Sequence, residues 1–291
     1  MRDTVVDKSV EFVKDKFVRK LTTPNAKPLL LGIEGPQGSG KTTAATKIRQ
    51  ELQSLYPESN IVQFSMDDFY STFAEQQELN RQFSDNILLQ GRGLPGTHDT
   101  SLLYETVNTL LQNNRNSFPV SIPIYDKSAH HGMGDRLPRK YWTIVERPVD
   151  LIIFEGWFNG YFSIPSETML LEKWDLIKRR ETPRLAMITC ENVVQINAYL
   201  KEYQKIWELF DLFVCIKTSN INNVYKWRLQ QEHEMIKIKG SGMIDEDVVK
   251  FIDRYMPVYY LYYDRLELME NMVESLELNI DESRKLVGSK L

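Results

Sequence analysis

Leu29-Leu30-Leu31-Gly32-Ile33-Glu34-Gly35-Pro36-Gln37-Gly38-Ser39-Gly40-Lys41-Thr42-Thr43 is the stretch whose reading decides the fold. Leu29–Ile33 is a short apolar run of the kind that forms a buried parallel strand. Gly35–Thr42 then fits G-x-x-x-x-G-K-[ST] in full, and Thr42–Leu55 reads as a helix that stops near Pro57. Strand, glycine-rich turn and helix together are the setting in which this pattern has a mechanism. Glycines let the backbone close into a nest of N–H groups around a phosphate. The start of the helix adds its positive dipole end at the same place. Lys41 supplies a point charge to the β- and γ-phosphates, and Thr42 a hydroxyl to Mg²⁺. ATP is therefore expected on Gly35, Pro36, Gln37, Gly38, Ser39, Gly40, Lys41, Thr42 and Thr43, with Lys41 also catalytic.

Outward from this unit, residues 3–20 carry Val6, Val10 or Phe12, Val13 and Phe17 at helical spacing, which predicts an amphipathic helix. Further strands are expected at Ile61–Ser65, Val120–Ile124, Val149–Phe154, Leu185–Thr189 and Leu212–Lys217. Helices are expected at Ser101–Leu111, Val193–Leu209, Val224–Ile238 and Asp245–Tyr263. Strands alternating with helices predict an α/β fold with a doubly wound, mostly parallel sheet. No repeat, low-complexity tract or Gly/Ser/Pro linker divides residues 1–291, which predicts a single domain. The 70–100 and 125–142 segments read as long functional loops.

Composition narrows the function classes. The 291 residues carry 36 Lys and Arg against 40 Asp and Glu, a net charge of −4. A dedicated nucleic-acid binder needs a basic excess to neutralise phosphates, so none is expected as a partner. No apolar run approaches the ~18 residues of a membrane span, and the charged N-terminus lacks the apolar core of a signal peptide. The chain is expected to be cytoplasmic, with nuclear presence left open and no membrane partner. The two cysteines, Cys190 and Cys215, lie in apolar stretches that read as strands and are expected to be buried, reduced thiols. The composition says nothing of oligomeric state.

A triphosphate site also needs an acid near its metal. Val149–Gly156 ends an apolar run on Glu155, which would hold Mg²⁺ together with Thr42. There is no N-K-x-D guanine motif and no L-S-G-G-Q transporter signature, and Gly156 stands where motor ATPases often place a second acid. A kinase with a small acceptor hydroxyl as nucleophile is left. It needs a base, and Met66-Asp67-Asp68-Phe69-Tyr70 sits at the carboxyl end of the second strand, where open α/β sheets gather ligands. Asp67 is the candidate base.

With these residues in view, the chain resembles the kinases of uridine, pantothenate and ribulose phosphate. It is more similar still to the D-glycerate 3-kinase family. Arg92-Gly93-Leu94-Pro95-Gly96-Thr97-His98-Asp99 is similar to that family's R-G-x-x-G-[ST]-H-D segment. Tyr125-Asp126-Lys127-Ser128-Ala129 with Gly132, Gly134, Asp135 and Arg136 resembles its Y-D-K-S-A-x-x-G-x-G-D-R segment. Phe154–Trp157 resembles F-E-G-W, and Tyr225–Gln230 with Glu232 resembles Y-K-W-R-L-Q-x-E. The match runs from about residue 28 to 282 and implies an ATP-dependent transfer of phosphate to the hydroxyl of a small, acidic acceptor. It implies an acceptor site of Arg92, His98, Asp99, Tyr125, Lys127 and Arg136, and a helical lid over 226–243 that carries Arg228. Leu94-Pro95 departs from the family's usual Asn-Ala, and residues 159–190 look longer and more basic than expected.

Other groups read more simply. His130-His131 lacks a third ligand spaced for zinc. The Tyr255–Tyr263 aromatics read as core. Two rivals stay open on the sequence: a uridine- or pantothenate-type kinase, and an ATP-binding regulatory module without turnover.

Overall fold

β1 forms where the apolar run places it, and the sheet is built outward from it. The computed structural model describes residues 4–23, 26–181, 184–240 and 242–291. Residues 1–3 of the N-terminal segment, residues 182 and 183 of the basic segment and Ser241 of the 226–243 segment lie outside the described residues. Among the described residues the strands are, in chain order, β1 Leu29–Glu34, β2 Ile61–Ser65, β3 Val120–Ile122, β4 Tyr125–Asp126, β5 Asp135–Arg136, β6 Thr143–Val145, β7 Leu151–Gly156, β8 Leu212–Thr218, β9 Glu274–Ile280 and β10 Leu286–Lys290. The α-helices are α1 Val5–Thr22, α2 Lys41–Leu55, α3 Phe73–Gln82, α4 Thr100–Gln112, α5 Glu167–Arg180, α6 Cys190–Lys201, α7 Gln204–Trp207, α8 Asn223–Lys239, α9 Asp245–Asp253, α10 Met256–Tyr262 and α11 Leu266–Met272.

The central sheet has the order β10-β9-β8-β1-β7-β2. Its pairs are parallel apart from β10 against β9. The mostly parallel α/β architecture expected from strand and helix alternation is the one observed. β1 and β7 are buried along almost their whole lengths, which is why they read as continuous apolar runs. α1 and α2 pack on each other and on the sheet, and α11 packs on β9. Register places the site: Glu34 pairs with Gly156 and Ser65 with Glu155. The carboxyl ends of β1, β7 and β2 therefore finish side by side.

Several local expectations are corrected. Leu185–Thr189 is not a strand; Thr189 instead caps α6, its side chain accepting from Asn192 N–H while Asn192 bonds back to the Thr189 N–H. This reciprocal cap starts a helix at Cys190 and leaves that thiol exposed, whereas Cys215 is buried in β8. The expected helix over Val193–Leu209 is divided between α6 and α7. The one over Asp245–Tyr263 breaks between α9 and α10, just before Pro257, whose ring cannot continue a helix from the preceding turn. The 70–100 segment contains α3, started by a cap between Thr72 and Glu75. Val120–Ile122 pairs, among the described residues, with β6 alone, in a separate small sheet.

Candidate active site

The loop after β1 is shaped by two glycines in left-handed conformations, Gly38 at φ 81° and Gly40 at φ 97°. A side chain at Gly38 would also meet Trp227, whose Cβ lies 2.6 Å from where the new Cβ would stand. Ser39 N–H turns inward to the Pro36 carbonyl (3.0 Å), and Gln37 N–H donates to the Tyr259 hydroxyl (3.0 Å). The N–H groups of Gly38, Gly40, Lys41 and Thr42 have no acceptor among the described residues. Such free donors at a helix start are a ready anion site.

Thr42, on the first turn of α2, donates through Oγ1 to Glu155 Oε1 (3.0 Å). Glu155 is 5% exposed and its Oε2 is buried with no hydrogen-bond partner. An orphaned buried carboxylate oxygen is costly unless something satisfies it. A hydroxyl and such an oxygen at the mouth of a phosphate nest suit a hard, oxygen-seeking cation such as Mg²⁺.

Ser65, Met66, Asp67, Asp68 and Phe69 form a tight turn at the end of β2, held by a reciprocal cap between Ser65 and Asp68. It brings Asp67 beside Glu155 through the Ser65–Glu155 register. Tyr70 donates to Asp67 Oδ1 (2.8 Å) and Lys127 donates to Asp67 Oδ2 (2.5 Å). Burial works to raise the Asp67 carboxyl, but Lys127, Lys41 and the Tyr70 hydroxyl outweigh it and hold Asp67 below its usual range. Asp68 goes the other way. Burial, opposed by the Ser65 N–H and reinforced by Asp67 and Glu155, pushes it up to about 6.

The expected acceptor residues gather around this turn, in varied roles. Arg92 donates to the carbonyls of Gly132 (2.8 Å), Met133 and Lys127 (3.3 Å) and lies over the Tyr125 ring. Arg136 bonds Asp99 (3.1 Å) and the Tyr70 carbonyl (3.0 Å). Asp99 also caps α4. Tyr125 meets Tyr70 edge to face. His98 stacks on Tyr70 and its Nδ1 lies 2.9 Å from the Tyr203 hydroxyl. Burial drives the His98 imidazole down to about 3, so at neutral pH it is an uncharged ring rather than a cation. Its Nε2 is buried without a partner. His98 lies where the resemblance implies an acceptor residue, but its burial leaves it no charge to offer an acidic acceptor.

In the 226–243 segment, Trp227 is fully buried against Gly38, so the second turn of α8 is packed on the phosphate loop. Arg228 is ion-paired with buried Glu232 (2.8 Å), whose other oxygen receives the Met243 N–H (2.9 Å). These contacts fasten α8 to the strand of chain that returns to α9. Four residues that sequence reasoning did not assign to the site also touch it: Tyr70, Asp68, Tyr259 and Arg284. Tyr70 and Asp68 were visible as neighbours of Asp67. Tyr259 had been read as core; it is core, and its hydroxyl serves the loop as well.

Residues 30–171 match the phosphoribulokinase/uridine kinase family. Along nearly its whole length the chain is similar to "Probable ATP-dependent kinase TDA10" of Saccharomyces cerevisiae, at 42% identity over 99% of this chain and 96% of the relative. The chain belongs to the phosphoribulokinase/uridine kinase family. As a member of it, the protein is a P-loop kinase, an ATP-dependent phosphotransferase whose acceptor is an alcohol. Among solved structures, D-glycerate 3-kinase from Cryptococcus neoformans var. grubii is similar at 34% identity and a TM-score of 0.89, over 99% of each chain. The chloroplastic D-glycerate 3-kinase of Arabidopsis thaliana is 35% identical over 82% of this chain and 48% of the relative. The resemblance read from the ordered motifs is thus borne out.

Proposed function

We propose that this kinase transfers the γ-phosphoryl group of ATP to a hydroxyl of a short hydroxy acid, with D-glycerate the first candidate. The observation that carries the acidic acceptor is the charge state of Arg92. Lys127 is neutralised by Asp67 and Arg136 by Asp99. Arg92 is held by carbonyls and by the Tyr125 hydroxyl and has no carboxylate partner among the described residues, so its charge is uncompensated. A carboxylate is the partner an arginine fork fits best. The relatives named D-glycerate 3-kinase support the same choice. The Leu94-Pro95 departure does not argue against it, since Leu94 is buried in the core.

In this reading the acceptor O–H points at Asp67, which is ionised because Lys127 and Lys41 hold it low. Its oxygen forms the new bond to γ-phosphorus as the bond to the ADP oxygen breaks, and its proton passes to Asp67. A loose transition state asks little of the base beyond position, so a low-lying carboxylate suffices. Lys41 and the free N–H groups of the loop meet the charge on the phosphoryl oxygens. Thr42 and Glu155 would hold Mg²⁺, which supplies charge neutralisation on the phosphates when bound. Tyr70 holds one Asp67 oxygen and Lys127 the other, so the carboxylate is fixed in place for the acceptor.

The test is incubation with Mg-ATP and D-glycerate, with mass detection of a phosphoglycerate. Arg92→Gln is expected to raise KM for the hydroxy acid by about tenfold or more, the scale of one charged hydrogen bond, and to leave a neutral polyol unaffected. Absence of product at millimolar glycerate, together with activity on a neutral sugar or nucleoside, would overturn the acidic acceptor.

The high-lying Asp68 gives a pH dependence with a definite sign. Its proton is held until the pH climbs to about 6, so below that value a cation entering beside Glu155 must displace it. The Mg²⁺ concentration for half-maximal rate is expected to rise as pH falls from 7 to 5, by up to about tenfold per pH unit. Protonation of ATP adds its own dependence, which is common to parent and variant. Asp68→Asn should therefore flatten the rise; an unchanged slope in the variant would count against this role.

A further inference from the structure

The β9–β10 turn, residues 281–285, lies far along the chain from the phosphate loop and yet reaches it. Arg284 Nε donates to the Gly38 carbonyl at 2.6 Å. Its Nη1 donates to Gln230 on α8 at 2.9 Å, and its guanidinium lies over the Trp227 ring at 5.5 Å. Trp227 in turn donates its indole N–H to the Glu282 carbonyl at 2.7 Å, and Lys226 pairs with Glu282 at 3.2 Å. Loop, helix and turn thus meet in one junction centred on Gly38. Arg284 itself has φ 64°, a left-handed conformation that costs a non-glycine residue energy and so needs contacts to hold it.

We infer that Arg284 is a positioning residue for ATP, holding the Gly38–Ser39 peptide so that the loop keeps its nest before nucleotide arrives. The peptide is fixed from both sides: its N–H by the Pro36 carbonyl and its C=O by Arg284. Without the guanidinium, the span from Pro36 to Gly40 keeps that internal bond, Tyr259 on Gln37 and the Ala44 N–H on the Gly40 carbonyl, but the Gly38 carbonyl loses its donor. A nest ordered in advance binds tightly because little ordering is left for the ligand to impose. The same side chain links α8 to the loop, so the position of the helix and the shape of the cradle are coupled. The inference rests on the reading of Gly35–Thr43 as the ATP cradle.

Arg284→Gly separates this role from stability. Glycine is at ease at φ 64°, so the turn keeps its conformation while the guanidinium is lost. The expected result is an unchanged melting temperature, a rise of about tenfold or more in KM for ATP and in the ADP dissociation constant, and a smaller change in kcat. Arg284→Lys should recover part of the affinity, and millimolar guanidinium should restore part of it to Arg284→Gly. ADP affinity within twofold of the parent in a folded Arg284→Gly variant would overturn the inference. So would an activity loss that follows the melting temperature alone. Lys41→Ala run alongside keeps the two readings apart. If it is silent, the cradle is misplaced; if it is damaging and Arg284→Gly is not, only the role of Arg284 falls.

Discussion

Lys41→Ala is expected to lower turnover by at least about 10²-fold, the scale for removing one preorganised electrostatic donor, with the fold intact. The structure gives the reason for both halves. Lys41 opens α2 beside the free N–H groups of the nest, and its ammonium makes no ion pair among the described residues. Nothing in the core depends on it, so the melting curve should not move. The charge it would place on the transferring phosphoryl group has no substitute in the loop, since Arg284 is committed to Gly38 and Gln230. ADP release and a thermal melt on the same preparation check this. Turnover at the parent's level would mean that the nucleotide sits elsewhere.

Asp67→Asn is expected to lower phosphoryl transfer by roughly 10²- to 10⁴-fold, the range for loss of a positioned base, while ADP binding is kept. Asparagine is nearly isosteric and its one carbonyl oxygen can still accept from Tyr70, while the contact with Lys127 is lost; the turn should hold because the cap between Ser65 and Asp68 is untouched. It cannot take up the acceptor's proton. Affinity should be spared because the contacts of Asp67 run to Tyr70 and Lys127, neither of which belongs to the phosphate loop. Calorimetric titration with ADP, set beside initial rates with a working acceptor, separates the two effects. Near-parent rates in this variant would remove Asp67 from the role of base.

What the sequence made legible follows from how local each feature is. The phosphate loop can be read because a nest requires particular residues at consecutive positions, between a strand and a helix. Glu155 and Asp67 can be read because each ends an apolar run, and parallel strands deliver such ends to one edge. β9 escaped because Glu274–Ile280 buries only alternate residues, a weaker signal than the continuous runs of β1 and β7. The helix at Cys190 escaped because a cap between Thr189 and Asn192 outweighed an apolar stretch. His98 was legible as a position but not as a charge, since its neutrality comes from burial among Tyr70, Phe158 and Tyr203. Arg284 was invisible because its partner Gly38 is 246 residues away, and only the folded sheet brings them together.

The central claim is that the γ-phosphoryl group goes to the hydroxyl of a bound small molecule and not to water. It is tested most directly by following ATP labelled in its γ-phosphoryl group. The protein is incubated with Mg²⁺ and a panel of short hydroxy acids, nucleosides and sugars, and the label is traced. The expected result is slow ADP formation without an acceptor, a marked rise with a hydroxy acid, and label recovered as that acid's phosphate ester. ADP formed at one rate whatever is added, with all the label recovered as inorganic phosphate, would contradict it.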